Sequence, residues 1–324
     1  MPKPVLVTGG FGFLGSYVSR ALAMLGRPVV IYDLARGTRE AQKLLEPHGE
    51  HIRFIQGSIS DLPRLEASIR QEQVDAVVHA AALCDAQALF REPYKAFETN
   101  TIGTLNVLEA AHRSRVSRVV HVSSVTALAE KQYQPLDERH AIFDPSAGHP
   151  SGPYGASKAA AEIIGVAYWD ALDLDYVGVR FSGIYGYGMS MPMYIKPMVA
   201  LSLQGKPCHL AGGGPIRRSL VYVKDAADAV TCALGCDVSR LRQRVFVVAG
   251  PLCEIRQVAE RIRALIPGAD IEIGDALSEY ERRRLENSAE YSMTQTAAQL
   301  GFRLRYDLER GLKDYIATYR EHEG

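Results

Sequence analysis

An α/β fold built on a doubly wound parallel sheet, with a smaller C-terminal α/β subdomain, is predicted for this 324-residue chain by three observations. Apolar, strand-like runs alternate with helix-period segments from the first residues onward. The first run passes straight into a glycine turn. After Arg180 the texture changes to a stretch rich in Gly, Met and Pro.

Runs rich in Val and Ile at 4–8, 28–33, 51–56, 74–79, 116–122 and 175–180 read as buried parallel strands, because a strand covered on both faces is continuously apolar. The segments between them read as helices, which implies right-handed crossovers. Residues 182–197 suit a loop layer better than another strand–helix unit. A helix-like piece at 193–204, a helix and strand at 223–235 and 245–249, and helices near 255–266, 276–286 and 307–321 complete the chain. This pattern divides it into a sheet domain of residues 1–181 and 217–250 and a subdomain of residues 182–216 and 251–324. No internal repeat is visible.

Composition excludes several classes. Basic and acidic residues balance at 37 each, so no general field attracts nucleic acid or an anionic membrane. Five cysteines form no C-x-x-C pair, and an odd number does not suit a disulfide framework. Cys232 and Cys236, one helical turn apart, read as small core residues. No apolar run is long enough to span a bilayer, and the first strand begins by residue 4, leaving no room for a signal peptide. A cytoplasmic location is therefore expected. The histidines form no H-E-x-x-H or comparable set, so no catalytic metal is expected.

The glycine turn is Val5-Leu-Val-Thr-Gly-Gly-Phe-Gly-Phe-Leu-Gly15, followed by an amphipathic helix from about Gly12 to Leu25. Gly9, Gly12 and Gly15 let the backbone approach a pyrophosphate, and the helix N-terminus supplies free N–H groups and partial positive charge. The next run, Pro28-Val-Val-Ile-Tyr-Asp33, ends in an acid about twenty residues downstream, where a ribose hydroxyl is read. Together these predict a dinucleotide cradle. Asp33 favours NAD over NADP by repelling a 2′-phosphate, although Arg36 is a residue able to pair one.

Tyr154-Gly-Ala-Ser-Lys158 places a tyrosine and a lysine on one helix face. A phenol with an ordinary pKa near 10 acts as a base at neutral pH only beside a cation, which Lys158 can supply. The pair opens a helix introduced by Ser151-Gly-Pro153. About thirty residues earlier the strand from Val116 to Val122 ends in Ser123-Ser124, and a serine at the C-terminal end of a parallel strand faces the crevice where ligands bind.

At these residues the chain resembles the extended short-chain dehydrogenases/reductases, the NAD-dependent epimerase/dehydratase group. The matching segments are Thr8-Gly-Gly-Phe-Gly-Phe-Leu-Gly15, Val78-His-Ala-Ala-Ala82, Asn100-Thr-Ile-Gly-Thr104, Val122-Ser-Ser124, Tyr154 to Lys158, Arg180 with Tyr185-Gly186, and Arg218-Ser-Leu-Val-Tyr-Val-Lys-Asp225. The resemblance covers nearly the whole length and implies that the sheet domain is a Rossmann NAD-binding domain and the subdomain binds substrate. It implies that Tyr154 is the acid/base, that Lys158 holds the nicotinamide ribose and tunes Tyr154, and that Ser124 hydrogen-bonds the reacting oxygen. Phe13 and Leu14 would offer N–H groups to the pyrophosphate, while Ala80, Ala81 and Asn100 would lie along the cofactor. Asn100 reads equally well as a helix residue satisfying a neighbouring loop. Gly57-Ser58-Ile59 stands where many relatives carry Gly-Asp, leaving a hydroxyl contact to adenine. A homodimer is implied through helices near 93–113 and 151–171, which carry more apolar residues than one buried stripe needs.

The chain departs from its relatives at several positions. Nucleotide-sugar enzymes of the group commonly have an asparagine where this chain has Gly183. Arg218 matches an arginine that reaches a substrate phosphate, but its usual following aspartate is Ser219. Arg282 to Arg284 form an unaligned basic cluster that reads as a solvated helix face. Leu128-Ala129 replace a tyrosine and a glycine. The dehydratase branch carries Asp-Glu where this chain has Val125-Thr126, so a 4,6-dehydratase is not expected. Thr126, Asp85 and Gln87 are left to read substrate hydroxyls or to solvate loops.

The expected function is an NAD-dependent oxidoreductase acting on a secondary hydroxyl of a sugar-like substrate, first of all a nucleotide-sugar epimerase. If the keto intermediate leaves the site, the enzyme is instead a dehydrogenase of a small sugar, sugar acid or alicyclic alcohol. Arg218 favours the nucleotide sugar and Gly183 the smaller substrate. A non-catalytic NAD-binding protein is a third reading, against which the intact serine, tyrosine and lysine weigh.

Overall fold

The computed structural model describes residues 2–145, 148–191 and 194–323. Twelve strands are present among them: β1 (Val5–Thr8), β2 (Val29–Asp33), β3 (Ile52–Gln56), β4 (Ala76–His79), β5 (Arg118–Ser124), β6 (Tyr176–Phe181), β7 (Gly183–Tyr185), β8 (Cys208–Gly212), β9 (Arg217–Tyr222), β10 (Val245–Val248), β11 (Leu252–Glu254) and β12 (Ile271–Ala276). The helices are α1 (Phe13–Met24), α2 (Arg39–Leu45), α3 (Leu62–Gln71), α4 (Ala86–Arg91), α5 (Pro93–Phe97), α6 (Gly103–Arg113), α7 (Gly152–Leu172), α8 (Ile195–Leu203), α9 (Val223–Gly235), α10 (Ile255–Leu265), α11 (Glu279–Glu286) and α12 (Leu308–Glu323).

Seven parallel strands form the main sheet in the order β10-β6-β5-β4-β1-β2-β3. Strand order reverses between β1 and β4, and Thr8 lies in register with Tyr32 on one side and His79 on the other. A crevice opens beyond the strand ends at such a reversal. The period of two along each strand splits the core into two layers. Val5, Val7, Val29, Ile31 and Val78 join the layer containing Leu14 and Val18 of α1 and Val230 of α9. Leu6, Val30, Tyr32 and Val77 join the opposite layer with Leu65, Ile69 and Val107 of α3 and α6. Burying each of these larger apolar side chains contributes ~1.5–3 kcal/mol, which is why both faces read as apolar in sequence.

Two expectations need correction. Residues 182–197 are not purely a loop, because β7 pairs with β9, which in turn pairs antiparallel with β11. This small sheet joins strands from both segments of the expected domain division. The helix at 93–113 is likewise not continuous: α5 and α6 are joined by a π turn at Glu98–Ile102. A further parallel pair, β8 and β12, lies in the C-terminal region. Asp225 is buried and accepts the N–H groups of Arg305 and Tyr306, which fixes the approach to α12. Among the described residues no helix is long and apolar enough to cross a membrane.

Candidate active site

The glycine turn is shaped by close approach. Gly9 has φ +67°, and a Cβ on it would lie 2.7 Å from the backbone N of Ala81. A Cβ on Gly15 would run into the Gly9 carbonyl. Gly12 caps α1 without a side-chain hydrogen bond, and no acid occupies the first turn. The N–H groups of Phe13, Leu14 and Gly15 therefore open the helix with no capping side chain competing for them. Asp33 ties the turn to the end of β2, its Oδ2 accepting from Phe11 N–H at 3.0 Å and its Oδ1 from Leu34 N–H at 2.8 Å. Burial raises the Asp33 pKa, and these backbone donors oppose that rise.

Beyond Asp33 a cavity of about 420 Å³ is lined by Leu34, Gln56, Gly57, Ser58 and Arg64. Ile59 turns into the core, and its carbonyl accepts from Asn106 Nδ2 at 2.9 Å. The Arg36 guanidinium lies 5.1 Å from the Phe54 ring centroid. A dinucleotide fits these features: two glycine positions where a side chain collides with backbone, an uncapped helix N-terminus, and an acid followed by a polar-lined cavity.

The other side of the crevice is held by a hydrogen-bond chain. Ala80 N–H donates to the Thr8 carbonyl at 3.1 Å, and the Ala81 N–H reaches Thr8 Oγ1 at 3.4 Å. The Thr104 hydroxyl donates to the Asn100 carbonyl at 2.6 Å, so His79 Nε2–H donates to Thr104 Oγ1 at 2.9 Å. His79 Nδ1 then accepts from the Thr8 hydroxyl at 2.7 Å. Burial pushes the His79 pKa down to about 3 and that of His121, stacked 5.4 Å away, well below the usual range. In the π turn, Asn100 Oδ1 accepts from Leu83 N–H at 2.8 Å, while Nδ2 donates to the Leu83 carbonyl at 3.0 Å and Ser157 Oγ at 3.1 Å. Of the two roles weighed for Asn100, this is the geometry of the loop clamp.

Strand β5 carries Ser124, and helix α7, which packs on it, carries Tyr154 and Lys158. Ser124 is buried, and its Oγ accepts from Thr126 N–H at 3.2 Å and the Thr126 hydroxyl at 2.9 Å. With donors aimed at its lone pairs, Ser124 keeps its own O–H to donate. The Thr126 hydroxyl is thus directed at Ser124, and its carbonyl accepts from Ser151 N–H at 3.2 Å, which sets the start of α7. Gly155 packs directly on that carbonyl. Tyr154 follows in the first turn, half-buried. Lys158 is buried and donates to the Val122 carbonyl at 2.9 Å. Burial lowers its pKa to about 8, against the opposing charges of Cys84 and Glu162.

Arg218 lies on β9 and is half-buried, within electrostatic reach of Tyr194 and Glu281. The Tyr194 hydroxyl donates to the Glu281 carboxylate. Both line a groove of about 390 Å³ with Leu210, Gly212, Ala276 and Ser278. Gly183 begins β7, in register with Leu220 of β9. Asp85 caps α4 by accepting from Ala88 N–H at 3.0 Å. Arg282 is exposed, whereas the side chains of Arg283, Arg284 and Gln87 lie outside the described residues. One exposed group, His209, Asp270 and Glu272, brings possible metal-ligand atoms within 4.8 Å on the β8–β12 pair.

Sequence reasoning missed Glu162, Tyr194 and Glu281. The first carried a signal, since it continues the spacing of four from Tyr154 through Lys158. The other two are brought to Arg218 by tertiary folding alone.

A model of the NAD dependent epimerase/dehydratase family matches residues 5–249. The chain is 28% identical over 327 residues to dTDP-D-glucose 4,6-dehydratase of Mus musculus, covering 99% of this chain and 89% of that protein. It is similar to the solved UDP-glucose 4-epimerase of Thermotoga maritima with UDP-glucose, with TM-score 0.84, 26% identity, and coverage of 98% and 99% of the two chains. The UDP-glucose 4-epimerase of Thermus thermophilus in complex with NAD gives TM-score 0.81 at 26% identity, with coverage of 98% and 99%.

Proposed function

Since the chain belongs to the NAD-dependent epimerase/dehydratase family, we propose that it is a nucleotide-sugar epimerase. The observation that carries this reading is Ser124, its lone pairs met by Thr126 and followed by Val125 rather than an acid, on the strand whose Val122 carbonyl accepts from Lys158. A 4,6-elimination needs a further acid and base after that serine, which Val125 and Thr126 do not supply. The Thermotoga and Thermus epimerases match nearly end to end, but so does the Mus musculus 4,6-dehydratase, so the choice between them rests on Val125 and Thr126.

In this reading Gly9, Gly12, Phe13, Leu14 and Gly15 hold the pyrophosphate of NAD, Asp33 its ribose hydroxyls, and Ser58 and Ile59 border the adenine. Ala80 and Ala81 line the cofactor, and Asn100 fixes the loop that follows them. Bound NAD supplies a hydride acceptor for the substrate's carbinol carbon. Tyr154 accepts the hydroxyl proton as a phenolate, Lys158 stabilises that phenolate, and Ser124 donates to the reacting oxygen. Arg218, within electrostatic reach of Tyr194 and Glu281, pairs with a substrate phosphate. The segments 1–181 and 217–250 form the cofactor domain, and 182–216 with 251–324 the substrate subdomain. A homodimer in the cytoplasm accompanies this reading, the pairing supported by Tyr94, Phe97, Ile102 and Ile163, which are exposed along α5, the π turn and α7.

A second reading, the dehydrogenase of a small sugar or sugar acid, is favoured by Gly183, which offers no side chain to a diphosphate. The two separate in one experiment. Protein incubated with NAD and UDP-glucose should form the 4-epimer without net NADH, whereas a dehydrogenase accumulates NADH with its sugar. Tyr154→Phe should keep cofactor binding and lose at least ~100-fold in turnover. Near-normal turnover in that variant removes Tyr154 from the mechanism.

A further inference from the structure

We propose that Glu162, gripped by Arg180 and Ser123, is a positioning residue that keeps Lys158 protonated, extending the tyrosine–lysine pair into a line of three along α7. The placement is geometric. Tyr154, Lys158 and Glu162 are spaced by four and share one helix face. The end of β5 meets them in step: the Val122 carbonyl accepts from Lys158 at 2.9 Å, the Ser123 hydroxyl donates to Glu162 at 2.5 Å, and Ser124 is presented next to Thr126. On the adjacent strand Arg180 is in register with Ser123. Its Nε lies 3.1 and 3.0 Å from the two Glu162 oxygens and its Nη2 2.8 Å from Oε2. Glu162 and Arg180 are 1% and 3% exposed.

Burial drives Lys158 toward its neutral form, in which it no longer stabilises a phenolate. The groups facing it are His79 from β4, His121 from β5, Cys84 from the loop after β4, and Tyr154 and Glu162 from its own helix. Both histidines are held neutral by burial, and burial also raises the Cys84 thiol. Cys84 and Glu162 are the two of these groups that oppose the loss of the Lys158 proton, and Glu162 is the carboxylate, held by Arg180. Stability does not account for the pair, because apolar residues of similar volume commonly replace a buried ion pair without loss. A negative charge one turn from Lys158 does account for it.

This inference rests on the reading of Tyr154 and Lys158 as the proton-handling pair, but its test does not depend on turnover alone. The lysine Cε carbons are labelled with ¹³C, and the Lys158 resonance is followed against pH, without substrate, in the parent and in two double variants, Glu162→Gln/Arg180→Met and Glu162→Leu/Arg180→Met. Neither leaves a buried charge unpaired. Whichever folds with a near-parental thermal midpoint should show the Lys158 titration lowered by ~1 pH unit or more, as loss of an adjacent opposite charge does. The alkaline limb of kcat/KM should fall with it. Arg180→Lys keeps both charges and loses hydrogen bonds, so it should unfold at lower temperature while the Lys158 midpoint stays put. A folded double variant with parental Lys158 titration, or an Arg180→Lys variant whose Lys158 midpoint follows its stability, overturns the proposal. If Lys158 titrates as stated but Tyr154→Phe remains active, the functional reading fails and the charge coupling stands.

Discussion

Acidification from pH 7 to pH 5 should weaken the fold through His79 and His121. Both rings are buried, at 1% and 0% exposure, and both are neutral. His79 is committed to Thr8 and Thr104, and His121 Nδ1 lies 2.9 Å from the Tyr176 hydroxyl. In the unfolded chain each takes a proton near pH 6.5. In the folded chain His79 takes none until about pH 3, and His121 also titrates far below its usual range. The unfolded state therefore binds more protons below pH 6.5, so this stability is complete above that pH and is lost as pH falls. One proton corresponds to ~1.4 kcal/mol per pH unit, or ~2 kcal/mol per histidine from pH 7 to pH 5 and ~4 kcal/mol for both. Asp33 and Asp225, whose pKa values are raised by burial, act in the opposite sense, and a parent-minus-variant difference cancels them. Urea unfolding at pH 7, 6 and 5 measures the effect. His121→Asn, which can still hydrogen-bond Tyr176 but cannot titrate, should lose about half of the pH dependence. Equal slopes in parent and variant, or a parent whose stability is flat over this range, refute the reasoning.

Thr126→Val removes the hydroxyl that orients Ser124, and turnover should fall ~5–30-fold at nearly constant KM, as loss of one well-placed hydrogen bond implies; a rise in KM alone would mean that Thr126 contacts substrate instead. Arg218→Ala should raise the KM for a nucleotide sugar by ~30-fold or more with NAD affinity unchanged, and Gly183→Asn should tighten the same substrate. Loss of thermal stability alone in Arg218→Ala would make that residue structural. Titration with both cofactors should show NAD binding more tightly than NADP, and comparable affinities would discount Asp33 as the discriminating acid. Ile163, 59% exposed on α7, should convert a dimer to a monomer as Ile163→Asp, and a parent already of monomer mass in light scattering contradicts the dimer.

Five of the six leading strands were readable because they are apolar on both faces, and β3, at the sheet edge, by Ile52, Phe54 and Ile55 despite its exposed Arg53 and Gln56; α9 and β10 fell within a residue or so of their observed ends. What escaped were β7 and β11, three residues each, too short for any period to register, β9, which was left unassigned, and β8 and β12, whose apolar–polar alternation is cut short by glycine after a few residues. The glycine turn, Ser124, Tyr154 and Lys158 were legible because fixed spacings carry their chemistry. Asn100 was left between two roles because its partners, Leu83 and Ser157, lie on other elements. Glu162 was passed over because a lone carboxylate on a helix is usually a surface residue, and it is Arg180 and Ser123, on other elements, that hold it inward.

The π turn at Glu98–Ile102 works as a splint. Asn100 fastens the loop after β4 with the protein's own bonds, so the entropy of ordering that wall is lost during folding rather than at docking. A ligand arriving there meets a finished mould and loses only its own freedom. The splint also makes the wall depend on helix phase. A helix turns about 100° per residue, so deleting one residue between Pro93 and Asn100 swings the amide away from Leu83 while α6 keeps its place. Length changes in this short stretch should therefore open the crevice without unfolding the sheet, whereas changes of side chain at its exposed positions leave the mould intact.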